Sequence, residues 1–234
     1  MPLLRWDAPG PYVVAFSTRL GGVSREPFES LNLGRLTEDS SELVTENRRR
    51  LCAQLGVGYG ELVFNRQVHG ADVRVANPAS SGVPGDGLVT TAPRWPLLVF
   101  TADCCPVALV LANGTRPAVA LLHVGWRGLL AGIAEAGVAS LANGCHAVIG
   151  PGIGPCCYEV GEEVAERFRV RFGARVVRRG RLDLWAAIER ALLAGGAAQV
   201  ARTDLCTACH PGLLFSHRRD GPRTGRQGAV AFVT

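Results

Sequence analysis

Residues 97–124 read LLVFTADCCPVALVLANGTRPAVALLHV, and this stretch decides how the chain is organised. It holds three apolar runs of strand length, at 97–101, 107–111 and 118–124, with no helical run between them. Upstream, 12–17 reads as a strand, and Gly21, Gly22 and Ser24 mark a turn. A helix is predicted over 40–55, because Leu43, Val44, Asn47, Leu51 and Leu55 recur near a 3.6 period and Gly56 stops it. Strand-like runs follow at 62–68 and 72–76, and 77–87, rich in Ser, Pro and Gly, reads as a surface connection. Downstream, a helix is predicted from just after Gly128 to about Leu141, then a strand at 146–149. Helices at 160–172 and 182–193 and strands at 199–202 and 229–233 complete the chain. Helices gather in the middle and late parts instead of alternating with single strands, so an α+β fold is predicted over a doubly wound sheet.

The chain has 234 residues, 47% of them apolar and 19% charged, which suits one hydrophobic core and a single domain over 1–234. The net charge of +5 comes with 25 basic residues, all Arg. They scatter along the chain, and the runs at 48–50 and 175–181 lack interleaved aromatics, so they read as solvated surface and no nucleic-acid partner is predicted. The absence of Lys removes Schiff-base and P-loop chemistry. Arg5, Asp7 and two prolines interrupt the N-terminal region where a signal peptide needs an apolar run, and no run is long enough for a membrane span. The expectation is a soluble, cytoplasmic protein with no membrane partner; nothing in the pattern specifies an oligomer.

Without export, the eight cysteines do not read as a disulfide framework, and the adjacent pairs Cys104-Cys105 and Cys156-Cys157 bridge poorly to each other. Cys52 and Cys145 read as small core residues. Of the five histidines, His69 in NRQVHGADV and His123 in ALLHVGWRG each end an apolar run, with a Gly one or two residues on. Cys104 likewise follows LLVFTAD, just before Pro106 turns the chain. Residues at strand ends beside glycine turns face clefts built by loops. Two imidazoles and one thiolate suit zinc with an open fourth position, and copper is chemically compatible. Taken singly, each His reads as well as a hydrogen-bonded core residue. Cys206–His210, CTACH, matches a haem-attachment pattern that calls for export, and its CxxC is half a zinc knuckle. The loop IGPGIGPCCYEVGEEV (149–164) reads equally as an anion cradle or a tight structural turn. The segment HRRDGPRTGRQG (217–228) is a turn with four Arg, read as solvated or as an anion clamp.

The ordered series SLNLG, Asn47-Arg48, QVHG, DGLVT, TADCCPV, HVGWRGLLAGI, IGPGIGPCCYEVGEEV, LDLW, Cys206-Thr207 and FSHRRDGPRTGRQG resembles the laccase-domain, YfiH-type family over nearly the whole chain. The resemblance implies an α+β fold with helices packed between mixed and antiparallel sheets. It also implies His69, Cys104 and His123 as metal ligands and catalytic residues, with about one zinc (or copper) per chain. Asn47 and Arg48, which interrupt the apolar helix stripe and belong to the motif set, and Arg127, near a helix start, are the expected substrate-binding residues. His217 stands where Tyr is usual, Val124 where Ala is common, and Cys105 lies outside the pattern and should alternate into the core. The resemblance brings three competing functional labels. The first is metal-dependent phosphorolysis of adenosine, inosine, guanosine and methylthioadenosine, with adenosine deamination and so a purine nucleoside and phosphate as small-molecule substrates. The second is editing of wrongly built muropeptide precursors in peptidoglycan synthesis, by amide hydrolysis. The third is polyphenol oxidation, for which five histidines are too few to build a multicopper centre.

Overall fold

The computed structural model describes residues 1–111, 116–141 and 144–234. In chain order its strands are β1 (Leu3–Trp6), β2 (Tyr12–Ser17), β3 (Val63–Phe64), β4 (Val73–Val75), β5 (Gly87–Thr90), β6 (Leu97–Thr101), β7 (Cys105–Leu111), β8 (Val119–Val124), β9 (Cys145–Ile149), β10 (Val177–Arg178), β11 (Arg181–Leu182), β12 (Gln199–Arg202) and β13 (Gln227–Val233). The helices are α1 (Ser41–Leu55), α2 (Trp126–Ala131), α3 (Ile133–Ser140), α4 (Glu162–Phe172), α5 (Leu184–Ala194) and α6 (His217–Asp220). One sheet runs β1-β2-β13-β6-β3 and the other β12-β9-β7-β8-β5-β4, with β10 and β11 forming a small hairpin. Most pairs are antiparallel, while β3 with β6, β4 with β5 and β12 with β9 are parallel, so both large sheets are mixed. The α+β fold is therefore present.

Strand alternation dictates the layers. On β7 and β8, Val107, Leu109, Ala120, Leu122 and Val124 face a core shared with α2 to α5. Their neighbours Ala108, Val110, Val119 and Leu121 point the other way, against Val14, Phe16, Leu97, Val99, Ala229 and Ala231 of the second sheet. That sheet's outer face, with Leu98, Val230 and Phe232, is covered by Leu51 and Cys52 of α1. The two sheets thus meet face to face and the helices flank them, rather than sitting between them. Cys105 is fully buried on the helix side of β7, as the alternation predicted.

The local signals explain most element ends. Ser40 caps α1 by accepting from Leu43 N–H, and left-handed Gly56 closes it. The single helix read over the segment after Gly128 is instead α2 and α3, broken at Gly132 (φ 99°), whose N–H returns to Gly128 and Leu129 carbonyls. The run read as a strand over 62–68 stops at Phe64. Beyond it the Gln67 side chain, donating to Phe100 O (2.7 Å) and accepting from Phe100 N–H (2.7 Å), occupies β6 in place of a backbone partner. Residues 67–70 are thereby released from the sheet and curve towards the end of β8. Among the described residues, no helix is long and apolar enough to cross a membrane.

Candidate metal centre and its cleft

The curve that follows Gln67 brings His69 to the ends of β6 and β8. His69 does not end a strand: it sits in a left-handed loop conformation (φ 60°). Cys104 lies in the bend between β6 and β7, and His123 is the penultimate residue of β8. The ligand atoms of the three residues all lie within 4.8 Å of one another. The His69 and His123 rings meet edge to face with centroids 4.9 Å apart, and Cys104 Sγ is 3.9 Å from His69 Nε2. Gly125 is required beside them, because a Cβ there would stand 2.9 Å from Cys104 Sγ and 3.1 Å from His69 Cδ2. The sequence reading chose these three residues, and the tertiary structure brings them together.

The residue that organises them was read as part of a surface connection. Asp86 is buried (1% exposed). One carboxylate oxygen takes the bond to His123 Nδ1 (2.8 Å) and His69 N–H (2.9 Å), the other Val68 N–H (3.1 Å) and Gly70 N–H (2.7 Å). It thus fixes the imidazole of β8 and the backbone of the His69 loop at once. Burial would raise its pKa, but the bonds from His123 and from the Gly70 and Val68 amides hold it below the usual carboxylate range. The clue in the sequence was an acid in DGLVT immediately before an apolar strand; only folding shows that this acid is inside.

The charges follow from the contacts. Burial pushes the Cys104 thiol up, yet the charges and hydrogen bonds of His123 and His69 bring it down to about 6. Burial opposes a proton on His123, but Cys104 and Asp86 outweigh it and raise the imidazole to about 9. Metal-free, the pair is a thiolate beside an imidazolium at neutral pH. That thiolate and two imidazoles, one oriented by a carboxylate, fit a soft or borderline cation with protein ligands on one side only. We expect Asp86→Asn to weaken zinc binding by about 10- to 100-fold, measured by competition with a chelator. Unchanged affinity would leave Asp86 with a purely structural part.

A cleft of about 640 Å³ opens over the centre, walled by Arg48, Phe64, Thr101, Arg127, Tyr158, His217, Arg218 and Arg226 among others. Arg48 is 1% exposed. Its guanidinium lies 4.5 and 4.7 Å from the ring centroids of Phe64 and Phe100, and its Nε donates to Leu33 O (2.9 Å). Nη1 is buried with no hydrogen-bond partner, as is Thr101 Oγ1 in the same wall. Burial pulls the Arg48 pKa down to about 10, so it remains charged at neutral pH. Arg127 stacks on Trp126 within the first turn of α2 and also lines the cleft.

Asn47 is the exception among the expected substrate contacts. It is fully buried, accepts from Val23 N–H and donates to Ser24 Oγ, Ser30 O and Asn32 O. One residue from Arg48 it points about 100° round the helix, where it secures the loop whose Leu33 carbonyl anchors Arg48. The loop 149–164 is no anion cradle either: the N–H groups of Gly152, Ile153, Gly154, Cys157 and Tyr158 are all taken by protein acceptors. In 217–228, Arg219 is bound to Thr207, Ala208 and Leu214 carbonyls and Arg223 to Glu38, while His217, Arg218 and Arg226 reach the cleft.

Residues 13–234 match the family described as multi-copper polyphenol oxidoreductase laccase. The chain belongs to that family. Within it, the chain is 36% identical to the Escherichia coli protein named purine nucleoside phosphorylase YfiH, over 98% of this chain and 97% of that one. It is 40% identical to the Deinococcus radiodurans protein named purine nucleoside phosphorylase, over 98% and 92%. The crystal structure of YlmD from Geobacillus stearothermophilus superposes with a TM-score of 0.91 at 35% identity, covering 100% of this chain and 96% of that one. The family is thus described by copper oxidation, while these relatives are named for a nucleoside reaction.

Proposed function

We propose that this laccase-family chain is a metal-dependent purine nucleoside phosphorylase of the cytoplasm. Its substrates are adenosine, inosine, guanosine and methylthioadenosine, and it also deaminates adenosine. The observation that carries the reading is Arg48: a charged guanidinium, buried with Nη1 unpartnered, on a residue that lines the same cleft as the His69–Cys104–His123 set. An unpaired buried charge costs several kcal/mol and is explained by an anionic substrate that supplies the partner. The names of the relatives support the same reaction.

Phosphate bound at Arg48 Nη1 is held in a low-dielectric pocket, where its charge can balance a developing ribosyl cation. A phosphate oxygen bonds C1′ as the C1′–N9 bond breaks, and the electron pair leaves with the purine, which takes up a proton. In deamination, water oxygen bonds C6 and ammonia leaves. Zinc, or copper, held by His69, Cys104 and His123 would supply Lewis acidity beside the reacting atoms. Arg127 and Trp126 offer a charged and an aromatic face for the nucleoside. The decisive assay is release of free base from inosine with and without phosphate: release must depend on phosphate, and equal rates in its absence overturn phosphorolysis.

One observation favours a second reading. Cys104, His123 and Asp86 are also arranged as an activated thiol, a base and a carboxylate that orients the base, the constellation of a Cys-dependent hydrolase. Such an enzyme would cleave an amide of a wrongly built muropeptide precursor. Incubation with a serine-containing precursor, run beside the inosine assay, separates the two. Phosphorolysis is preferred because hydrolysis leaves Arg48 without a part.

A further inference from the structure

A second group of soft ligands lies outside the cleft centre. The tight turn after β9 carries Cys156 and Cys157, and the CxxC after β12 carries Cys206 and Cys209. The four Sγ atoms lie within 4.8 Å of one another. Cys209 Sγ is 3.5 Å from Cys156 Sγ and 3.4 Å from Cys157 Sγ. One sulfur at nearly the same distance from two others cannot pair with both in a disulfide, whereas a single cation engages all of them. In a tetrahedral zinc site with Zn–S near 2.3 Å the sulfurs stand roughly 3.8 Å apart, close to the spacing here. An iron–sulfur cluster places its own sulfides between the thiolates and would hold them further apart.

The surrounding backbone is built for thiolates. Gly154 N–H donates to Cys206 Sγ (3.2 Å), the kind of outer bond that orients a ligating sulfur. The two turns are laced together by a bridge between Gly152 and Cys206, with Thr207 N–H to Gly152 O (3.0 Å) and Gly152 N–H to Leu205 O (3.3 Å). We propose that Cys156, Cys157, Cys206 and Cys209 bind a structural zinc ion, so that the chain holds two metal ions and not the one expected from sequence. The site is closed by four protein ligands and clamps the turns that support the cleft. Ile153 N–H donates to Asp103 O (2.8 Å) and Thr207 Oγ1 to Asp103 Oδ1 (2.6 Å). Asp103, itself left-handed at φ 93°, immediately precedes Cys104. The ion is therefore a positioning device for the first centre, and its existence does not depend on the reaction assigned to the cleft.

The test counts zinc in protein purified under reducing conditions. A His69→Ala/His123→Ala variant leaves all four cysteines intact and should retain one tightly bound zinc, with sulfur alone in its first shell at about 2.3 Å by X-ray absorption. In the native chain, Cys156, Cys157, Cys206 and Cys209 should resist alkylation until a strong chelator is added. Cys156→Ser/Cys157→Ser should lose one zinc per chain. The proposal is overturned if the folded histidine variant takes up no zinc on reconstitution, if its zinc has nitrogen ligands, if iron replaces zinc, or if peptide mapping finds a disulfide among these four residues in reduced, native protein.

Discussion

Removing the cation from the cleft should abolish base release, to below about a thousandth of the native rate, as expected for loss of the several kcal/mol a Lewis acid supplies; zinc should restore it. The same experiment reads the state of Cys104. In the metal-free chain the thiol is free and held near pKa 6. Its alkylation should therefore climb as pH rises through about 6, well below the range of an ordinary thiol. His123 stays protonated to about 9 and keeps the thiolate paired through that window. In the loaded chain the sulfur lone pair is engaged and alkylation at Cys104 should stop. Full turnover by metal-free enzyme, with an acylated Cys104 in its mass spectrum, would make the thiol a nucleophile and the chain a hydrolase. The presence of Asp86 makes this comparison necessary: an orienting carboxylate belongs equally to a catalytic triad and to a metal-bound histidine.

Replacing Arg48 by Met should lower kcat/KM for phosphate by about 10²- to 10³-fold, the usual effect of deleting one preorganised donor to a transition-state anion, with a much smaller change in the KM for inosine. Met retains an unbranched apolar chain between Phe64 and Phe100, so packing is largely kept. The bond to Leu33 O is lost, which costs about 1–3 kcal/mol of stability if that carbonyl stays dry. Thermal unfolding of the variant separates this cost from the kinetic effect. If the phosphate dependence is unchanged in a folded variant, Arg48 is structural and Arg127, the other cleft arginine expected from sequence, becomes the residue to replace.

The two predictions rest on residues of unequal legibility. His69, Cys104 and His123 were visible because a ligand-type residue one or two positions before a glycine or proline, after a strand-like run, is a local signal. Arg48 was visible as a charge in an apolar helix stripe. Its neighbour Asn47 carried the same signal and proved to be an internal fastener, since the stripe reports burial but not which partner the buried group meets. Asp86 was hidden in a segment whose Ser, Pro and Gly content pointed to the surface. That composition describes the first part of the loop correctly, but Asp86, near its end, is drawn inward by three amides and an imidazole contributed by other segments.

By itself the sequence determined the elements whose boundaries are set by neighbours along the chain. α1 runs between Ser40 and Gly56, β2, β6 and β12 occupy the predicted residues, and alternation on β7 sends Cys105 into the core. Each depends on capping, turn chemistry or period, which act within a few residues. Only the tertiary structure decided that the sheets face each other with helices outside, that one Gln side chain replaces a strand and frees the His69 loop, and that a CC pair and a CxxC converge on one point. These outcomes depend on contacts between segments up to 53 residues apart within the cysteine cluster alone, and no local pattern encodes a partner at that distance; side-chain complementarity selects it once the layers pack.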